Sequence, residues 1–292
     1  MPETLLQAVD SYASYHANAN GLARTPVPGL TLVRSATITQ LEHAVARPLL
    51  CLILQGGKQV TIGAALHSFK AGDSMLLASN MPTASRIVGA SRRLPYLAVA
   101  LDLDIGLVTE LTLVGRGQSV PPPERALAAT ELKSALHRLV RALDHPSRLA
   151  ALQNGLLREI HYWLLLGPQG EKVRQLGLPD SHARRIARAV ALLRANYQSR
   201  VPIARLAAAA GMSRSALHQH FRATTSLSPL QFQKQLRLTE ARRLIQTEGK
   251  TASRAAFDVG YESISQFNRE YARLFDLPPM QDKRAAAQRL ID

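Results

Sequence analysis

Two stretches of like design near the C-terminal end constrain this 292-residue chain more than any other feature. The first is VPIARLAAAAGMSRSALHQHF, residues 201–221; the second is TASRAAFDVGYESISQFNREY, residues 251–271. Each sets an alanine four positions before a glycine, Ala207 with Gly211 and Ala256 with Gly260, and a second helical segment follows. An alanine lets two helices cross closely, and a glycine takes the left-handed conformation that ends the first of them. Two such units in tandem on a chain of net charge +15 predict sequence-specific binding of double-stranded DNA.

In the first unit, Pro202 opens a helix over 203–210, and Ser213 caps a second that runs to about residue 223. Leu217 and Phe221 are four apart and face inward, which leaves Arg214, Ser215, His218, Gln219 and Arg222 outward. Gln219 suits adenine, His218 a guanine or a phosphate, and Arg222 the backbone. In the second unit Thr251 caps a helix over 252–259, and Ser263 caps one that reaches about Phe275. Phe267, Tyr271 and either Leu274 or Phe275 face inward, so Ile264, Ser265, Asn268 and Arg269 face out. Asn268 and Arg269 suit base or phosphate contact, and Ile264 a thymine methyl. Between the units, Leu227-Ser228-Pro229 opens a helix over 229–246. At about 1.5 Å per residue it spans roughly 27 Å, close to the ~34 Å between successive major-groove faces. A further amphipathic helix starts near Ser181, with Ile186, Val190, Leu193 and Tyr197 on its apolar stripe.

The N-terminal half has a different grammar. Residues 3–17 have helical spacing, and GLARTPVPG is a loop. Then TLVRSATIT, PLLCLILQGGKQVTIG, HSFKAGDSMLLAS and PYLAVALDL are short aliphatic and β-branched runs, the signature of an antiparallel barrel or sandwich. Gln55-Gly56-Gly57-Lys58 and Lys70-Ala71-Gly72-Asp73 read as hairpin turns. A short helix is expected over 104–114 and a proline-ended loop over 115–123. Leucine-rich helices follow over 124–143 and 148–166, a hairpin suited to a homodimer interface or to packing on the barrel. The stretch 167–181, GPQGEKVRQLGLPDS, reads as an interdomain linker.

The fold class is therefore α+β with two domains. Residues 1–175 form an antiparallel barrel or sandwich with a helical hairpin, and 181–292 an all-α DNA-binding domain with two helix-turn-helix units. Residues 180–292 carry 19 Lys and Arg against 9 Asp and Glu, a basic balance suited to a polyphosphate partner. No catalytic residues are assigned, and no metal or cofactor is expected. His67 lacks a nearby histidine, and His43 and Glu42, adjacent on a strand, point to opposite faces. The single Cys51 excludes an internal disulfide. It is either a buried small hydrophobe or a sensor thiol for electrophiles, with Arg47 and Lys58 the basic residues nearest in sequence. No 18-residue apolar run and no signal-peptide pattern is present, which points to a cytoplasmic protein without membrane association.

The C-terminal pattern resembles the AraC/XylS family of bacterial transcription regulators over roughly residues 186–279. The second unit carries it with Ala256, Gly260, Tyr261, Ser263, Gln266, Phe267, Arg269, Phe275 and Pro278. The Leu-Ser-Pro at 227–229 and the run Arg237-Leu238, Ala241-Arg242, Leu244-Ile245 are also similar to the family. The strands Leu-Cys-Leu-Ile-Leu-Gln-Gly and Pro-Tyr-Leu-Ala-Val-Ala-Leu-Asp-Leu-Asp resemble the sensor domain of one subgroup, which implies that residues 1–175 are a cupin-like β-barrel for sensing, with a helical segment for dimerisation or signal transfer. The resemblance implies a regulator, usually an activator, that binds promoter DNA and RNA polymerase and answers to a small-molecule effector. Ser215 and Ile264 stand where many relatives carry larger or more polar readers. An enzyme built on the barrel and carried to DNA is the alternative. Relatives of this module are joined to DNA-repair alkyl-transfer domains, but that chemistry needs a cysteine cluster with zinc, and one cysteine does not supply it.

Overall fold

The computed structural model describes residues 3–62, 65–77, 81–115 and 122–288, with side chains described from 127 onward in the helix that begins at Pro122 and as far as 287 in the last helix. The chain divides into two compact units, 1–42 with 46–185, and 43–45 with 186–292.

The first unit opens with α1 (Leu5–His16), which Thr4 and Gln7 close with a reciprocal capping box. Among the described residues nine strands follow along the chain: β1 (Leu22–Arg24), β2 (Leu30–Ser35), β3 (Glu42–Ala46, of which 43–45 group with the second unit), β4 (Leu49–Gln55), β5 (Gly57–Ile62), β6 (Ala65–Lys70), β7 (Ser74–Leu77), β8 (Met81–Gly89) and β9 (Tyr96–Asp102). They form two sheets, ordered β1-β2-β9-β4-β7 and β3-β8-β5-β6, and do not close into the expected barrel. β1 lies within the stretch expected to be a loop, β3 is the strand on which Glu42 and His43 were placed, and β8 was not anticipated; β1 is short and β8 mixed in polarity.

Both expected hairpin turns are corners between sheets. β4 pairs with β7 and β9, whereas β5 pairs with β6 and β8, so the chain changes sheet at Gly56. Gly56 has φ 83°, and a Cβ there would lie 2.1 Å from the Gly89 carbonyl oxygen. β6 and β7 likewise lie in different sheets, and the turn between them docks on β4 through Gly72 N–H to the Ile53 carbonyl, 2.9 Å.

The first sheet is buried on both faces. Leu50, Leu52, Leu97, Val99 and Leu101 pack in one core with α1 and with the hairpin of α3 (Pro122–Ala142) and α4 (Pro146–Leu166). Strand residues of the opposite parity, Cys51, Ile53, Tyr96 and Ala98, are buried as well. Of the leucines in the first leucine-rich stretch, Leu132, Leu136 and Leu139 of α3 and Leu143 just past it are core, while Leu127 is exposed. The expected loop over 115–123 falls mostly outside the described residues, although Pro122 already belongs to α3.

The stretch read as a linker is instead largely helical. It contains α5 (Gly170–Gly177), whose Val173 packs with Leu165 and with Val108 of α2 (Ile105–Val114). Gly177 is required there, because a Cβ would meet Thr112 Oγ1 at 2.7 Å and the Val108 carbonyl oxygen at 2.8 Å. The glycine that looked like a linker signal marks a close helix approach.

His161 of α4 ties α2 to the hairpin. Its Nε2 accepts from the Asp104 amide at 3.0 Å, which leaves the proton on Nδ1, donating to the Leu157 carbonyl at 2.7 Å. Burial holds its pKa below the ordinary 6.5, while the Leu157 hydrogen bond and Asp104 pull the other way. A depressed histidine pKa means that the unfolded chain binds the extra proton first, so stability is present above about 6.5 and is lost as pH falls below it. Urea titrations of the full chain at pH 7 and pH 5 are expected to show that loss, and His161→Gln should flatten the difference. Gly56→Ala is expected to cost at least about 1–2 kcal/mol in the same assay, from strain at positive φ and the clash with Gly89.

Candidate nucleic-acid interface

The second unit is built from helices α6 (His182–Ala195), α7 (Ile203–Ala210), α8 (Arg214–Thr225), α9 (Pro229–Thr247), α10 (Ala252–Asp258), α11 (Ile264–Phe275) and α12 (Pro279–Gln288). Their order contains a repeat. α7 ends at Gly211, φ 60°, and α10 is followed by Gly260, φ 88°. The next amide returns to the alanine five positions back in both, Met212 to Ala207 and Tyr261 to Ala256, each at 2.9 Å. This is the Schellman closure of a helix end. Ser213 and Ser263 then accept from the backbone amides of Ala216 and Gln266, and so start α8 and α11. Both helices stop at a left-handed residue, Ser226 or Asp276, and a proline opens the next helix, Pro229 for α9 and Pro279 for α12. α12 was not expected, yet Leu277-Pro278-Pro279 repeats the Leu227-Ser228-Pro229 signal that did reveal α9.

Burial divides α8 and α11 as helical spacing requires. Leu217, Phe221, Phe267, Tyr271 and Phe275 are buried, so Phe275 rather than Leu274 completes the inner face. Arg214, Ser215, His218, Gln219 and Arg222 are all exposed along α8. Ile264, Ser265, Asn268 and Arg269 are all exposed along α11, with Ile264 at 37%. The structure thus brings the nine predicted residues onto the solvent faces of the second helices of the two units. Gln266, which belongs to the family pattern, is also exposed, but its amide donates to Glu270 at 3.0 Å.

The inner face of α11 rests on a buried carboxylate that sequence reasoning missed. Asp282 of α12 is fully buried. Arg242 of α9 grips it with Nε at 2.7 Å and Nη2 at 2.9 Å, Gln246 Nε2 donates at 3.0 Å and the Tyr271 hydroxyl at 2.7 Å. Burial and the hydrogen bond to Asp282 push the Tyr271 phenol above its usual range, so it stays a donor. Glu270 gathers a second set: Lys234 at 2.6 Å, Tyr261 at 2.7 Å and Gln266.

In the first unit of the molecule, Cys51 is buried. Burial raises its thiol pKa, against the smaller pull of Lys58. Arg47 is turned to Asp102, 3.6 Å away. A sensor thiol needs access and a stabilised thiolate, and the surroundings of Cys51 supply neither.

An antiparallel-sheet unit carrying a helical hairpin, followed by a duplicated helix-turn-helix, defines a DNA-binding regulator. The family model for the N-terminus of AraC-type transcriptional regulators matches residues 26–172, and the helix-turn-helix domain model matches 206–285. The chain belongs to the AraC-type transcriptional regulators, a family of DNA-binding regulators and not of enzymes. Its fold is similar to that of unsaturated-fatty-acid-bound ToxT from Vibrio cholerae, at 11% identity and a TM-score of 0.53 over 87% of this chain and 92% of that one. A probable AraC family regulator from Rhodopseudomonas palustris matches at 25% identity and a TM-score of 0.33, over 35% of this chain and 96% of its own. The DNA-binding domain of AdpA, in complex with a target DNA, matches at 27% identity and a TM-score of 0.34, over 36% and 95%. No curated protein matches the chain. Among the described residues no helix is long and apolar enough to cross a membrane.

Removing the buried carboxylate leaves the largely buried Arg242 guanidinium without its counter-charge. Asp282→Ala is expected to destabilise the helical unit by about 3–5 kcal/mol, read as a lowered urea midpoint of its transition in the full chain.

Proposed function

We propose that the chain reads promoter DNA through α8 and α11, each inserted into a major groove, and that it activates transcription by also contacting RNA polymerase. The observation that carries the reading is the exposure of all nine candidate residues on the second helices of two tandem units. α9, 19 residues long, spans about 28 Å and holds the two readers at a distance suited to adjacent turns of one DNA face. α11 acts as the shared anchor, with Asn268 and Arg269 on bases or phosphates. α8 gives operator preference through Ser215, His218 and Gln219, with Arg214 and Arg222 toward the backbone.

The sheet unit acts as the sensor in this reading. The family match over 26–172 and the likeness to the fold of a fatty-acid-bound regulator support a small-molecule effector, bound without covalent chemistry given the burial of Cys51. The α3–α4 hairpin is the candidate homodimer surface, with Leu127, Leu152 and Tyr162 exposed on it. The place of action is the cytoplasm.

Selection of duplexes from a random pool, followed by gel-shift titration, tests the reading. A two-part site should emerge. Arg269→Ala should weaken binding to it by about 1–3 kcal/mol, with little change in melting temperature. Affinity should fall steeply between 50 and 200 mM salt, on the order of 10³-fold if about six phosphates are held. A flat salt response, or full affinity in Arg269→Ala, counts against this assignment.

A further inference from the structure

The two helix-turn-helix units share a second connection besides α9. The segment after α6 lies directly on the turn of the second unit. A Cβ at Gly260 would sit 1.8 Å from the Gln198 carbonyl oxygen, so the closeness of this approach, as well as the positive φ, demands glycine. The carbonyls of Tyr197, Gln198 and Ser199, in the turn just past the end of α6, take their donors from α9.

Arg237 of α9 satisfies them. Its Nε donates to the Tyr197 carbonyl at 2.7 Å, Nη2 to Gln198 at 3.0 Å and Nη1 to the Gly260 carbonyl at 2.8 Å. One turn earlier, Gln233 donates to the carbonyls of Tyr197 and Ser199. The guanidinium therefore holds the entry to the first unit and the turn of the second in one planar fork. From Gly260 the connection runs on to α11: the next residue, Tyr261, has its ring 5.9 Å from the Arg237 guanidinium carbon and its hydroxyl on Glu270.

We propose that Arg237 is a positioning residue: its fork locks the two helix-turn-helix units in one relative placement and thereby selects the base-pair spacing between the two halves of the bound site. This rests on the two-part reading of DNA proposed above. Arg237 donates all three groups to backbone carbonyls of its own chain, so its effect reaches DNA through the placement of α8 and α11. Adding one base pair between the halves turns one against the other by about 34°, which a locked pair of readers does not follow. An ammonium is a point charge without the fixed fork, so lysine keeps the charge here and loses the geometry.

The test uses the full chain and the duplex selected by the wild type, with the spacer lengthened or shortened by one base pair. The wild type should lose about tenfold or more in affinity at either altered spacing. Arg237→Ala and Arg237→Lys should bind the original spacing within a few-fold of wild type but lose only about twofold when it changes. An unchanged spacing penalty in the variants overturns the proposal, and so does a penalty restored by lysine, which would mark a charge effect alone. If Arg237→Ala does not fold, the lysine variant decides between the same outcomes. A wild type that selects only a single half-site, or none, fails the two-part reading itself and takes the clamp with it, whereas a spacing-tolerant wild type with a two-part site sinks the clamp alone.

Discussion

The DNA-binding unit depends on one buried carboxylate. Taking Asp282 out of water costs several kcal/mol unless its lone pairs are filled and its charge is matched. Four donors from three side chains on two other helices do that: the Arg242 fork, Gln246 and Tyr271. Because each donor comes from a fixed place on α9 or α11, the satisfied carboxylate also fixes where α12 and α11 lie against α9. Hydrophobic packing of Phe267, Tyr271 and Phe275 makes α11 adhere, but apolar contacts tolerate sliding. The ion and its hydrogen bonds do not. The second reader is thus oriented by polar geometry under an apolar cover.

The first reader is held differently. α8 packs Phe221 edge-on against Phe232 of α9, ring centroids 5.5 Å apart, and its last turn is closed by Thr225, whose hydroxyl donates to the Phe221 carbonyl. No carboxylate equivalent to Asp282 is buried beneath it among the described residues. The internal repeat therefore preserves backbone punctuation, namely glycine, serine cap, left-handed stop and proline start, while the two cores have diverged. The family pattern read in the sequence likewise rests most on the second unit, at Ala256, Gly260, Tyr261, Ser263 and Phe267.

What was legible follows from the range of the interactions involved. Helix caps at Ser213, Thr251 and Ser263 act within three residues, so sequence reading located them, and the exposed faces of α8 and α11 followed from spacing alone. Strand pairing is non-local. Gln55-Gly56-Gly57-Lys58 has the composition of a hairpin, and only the partners of β4 and β5 show that the chain turns a corner into another sheet. The glycines of 167–177 have the composition of a linker, yet Gly177 serves a helix contact made across the unit. Asp282 and Arg237 look like ordinary surface charges in the sequence. Their roles exist only after α9, α11, α12 and the end of α6 have come together, at sequence separations of 11–40 residues.

Rigidity between the readers has a thermodynamic consequence. Two recognition helices joined by a loose connection would each lose orientational freedom on binding, and that loss subtracts from affinity. Asp282 fixes α11 on the end of α9, and the Arg237 fork fixes the start of the first unit on the turn of the second. The ordering cost is met largely during folding rather than at the DNA. In the proposed two-part reading the same stiffness removes the freedom to accommodate a badly spaced site, so spacing discrimination is assigned to backbone carbonyls and one buried acid, and base and phosphate contact to the side chains exposed on α8 and α11.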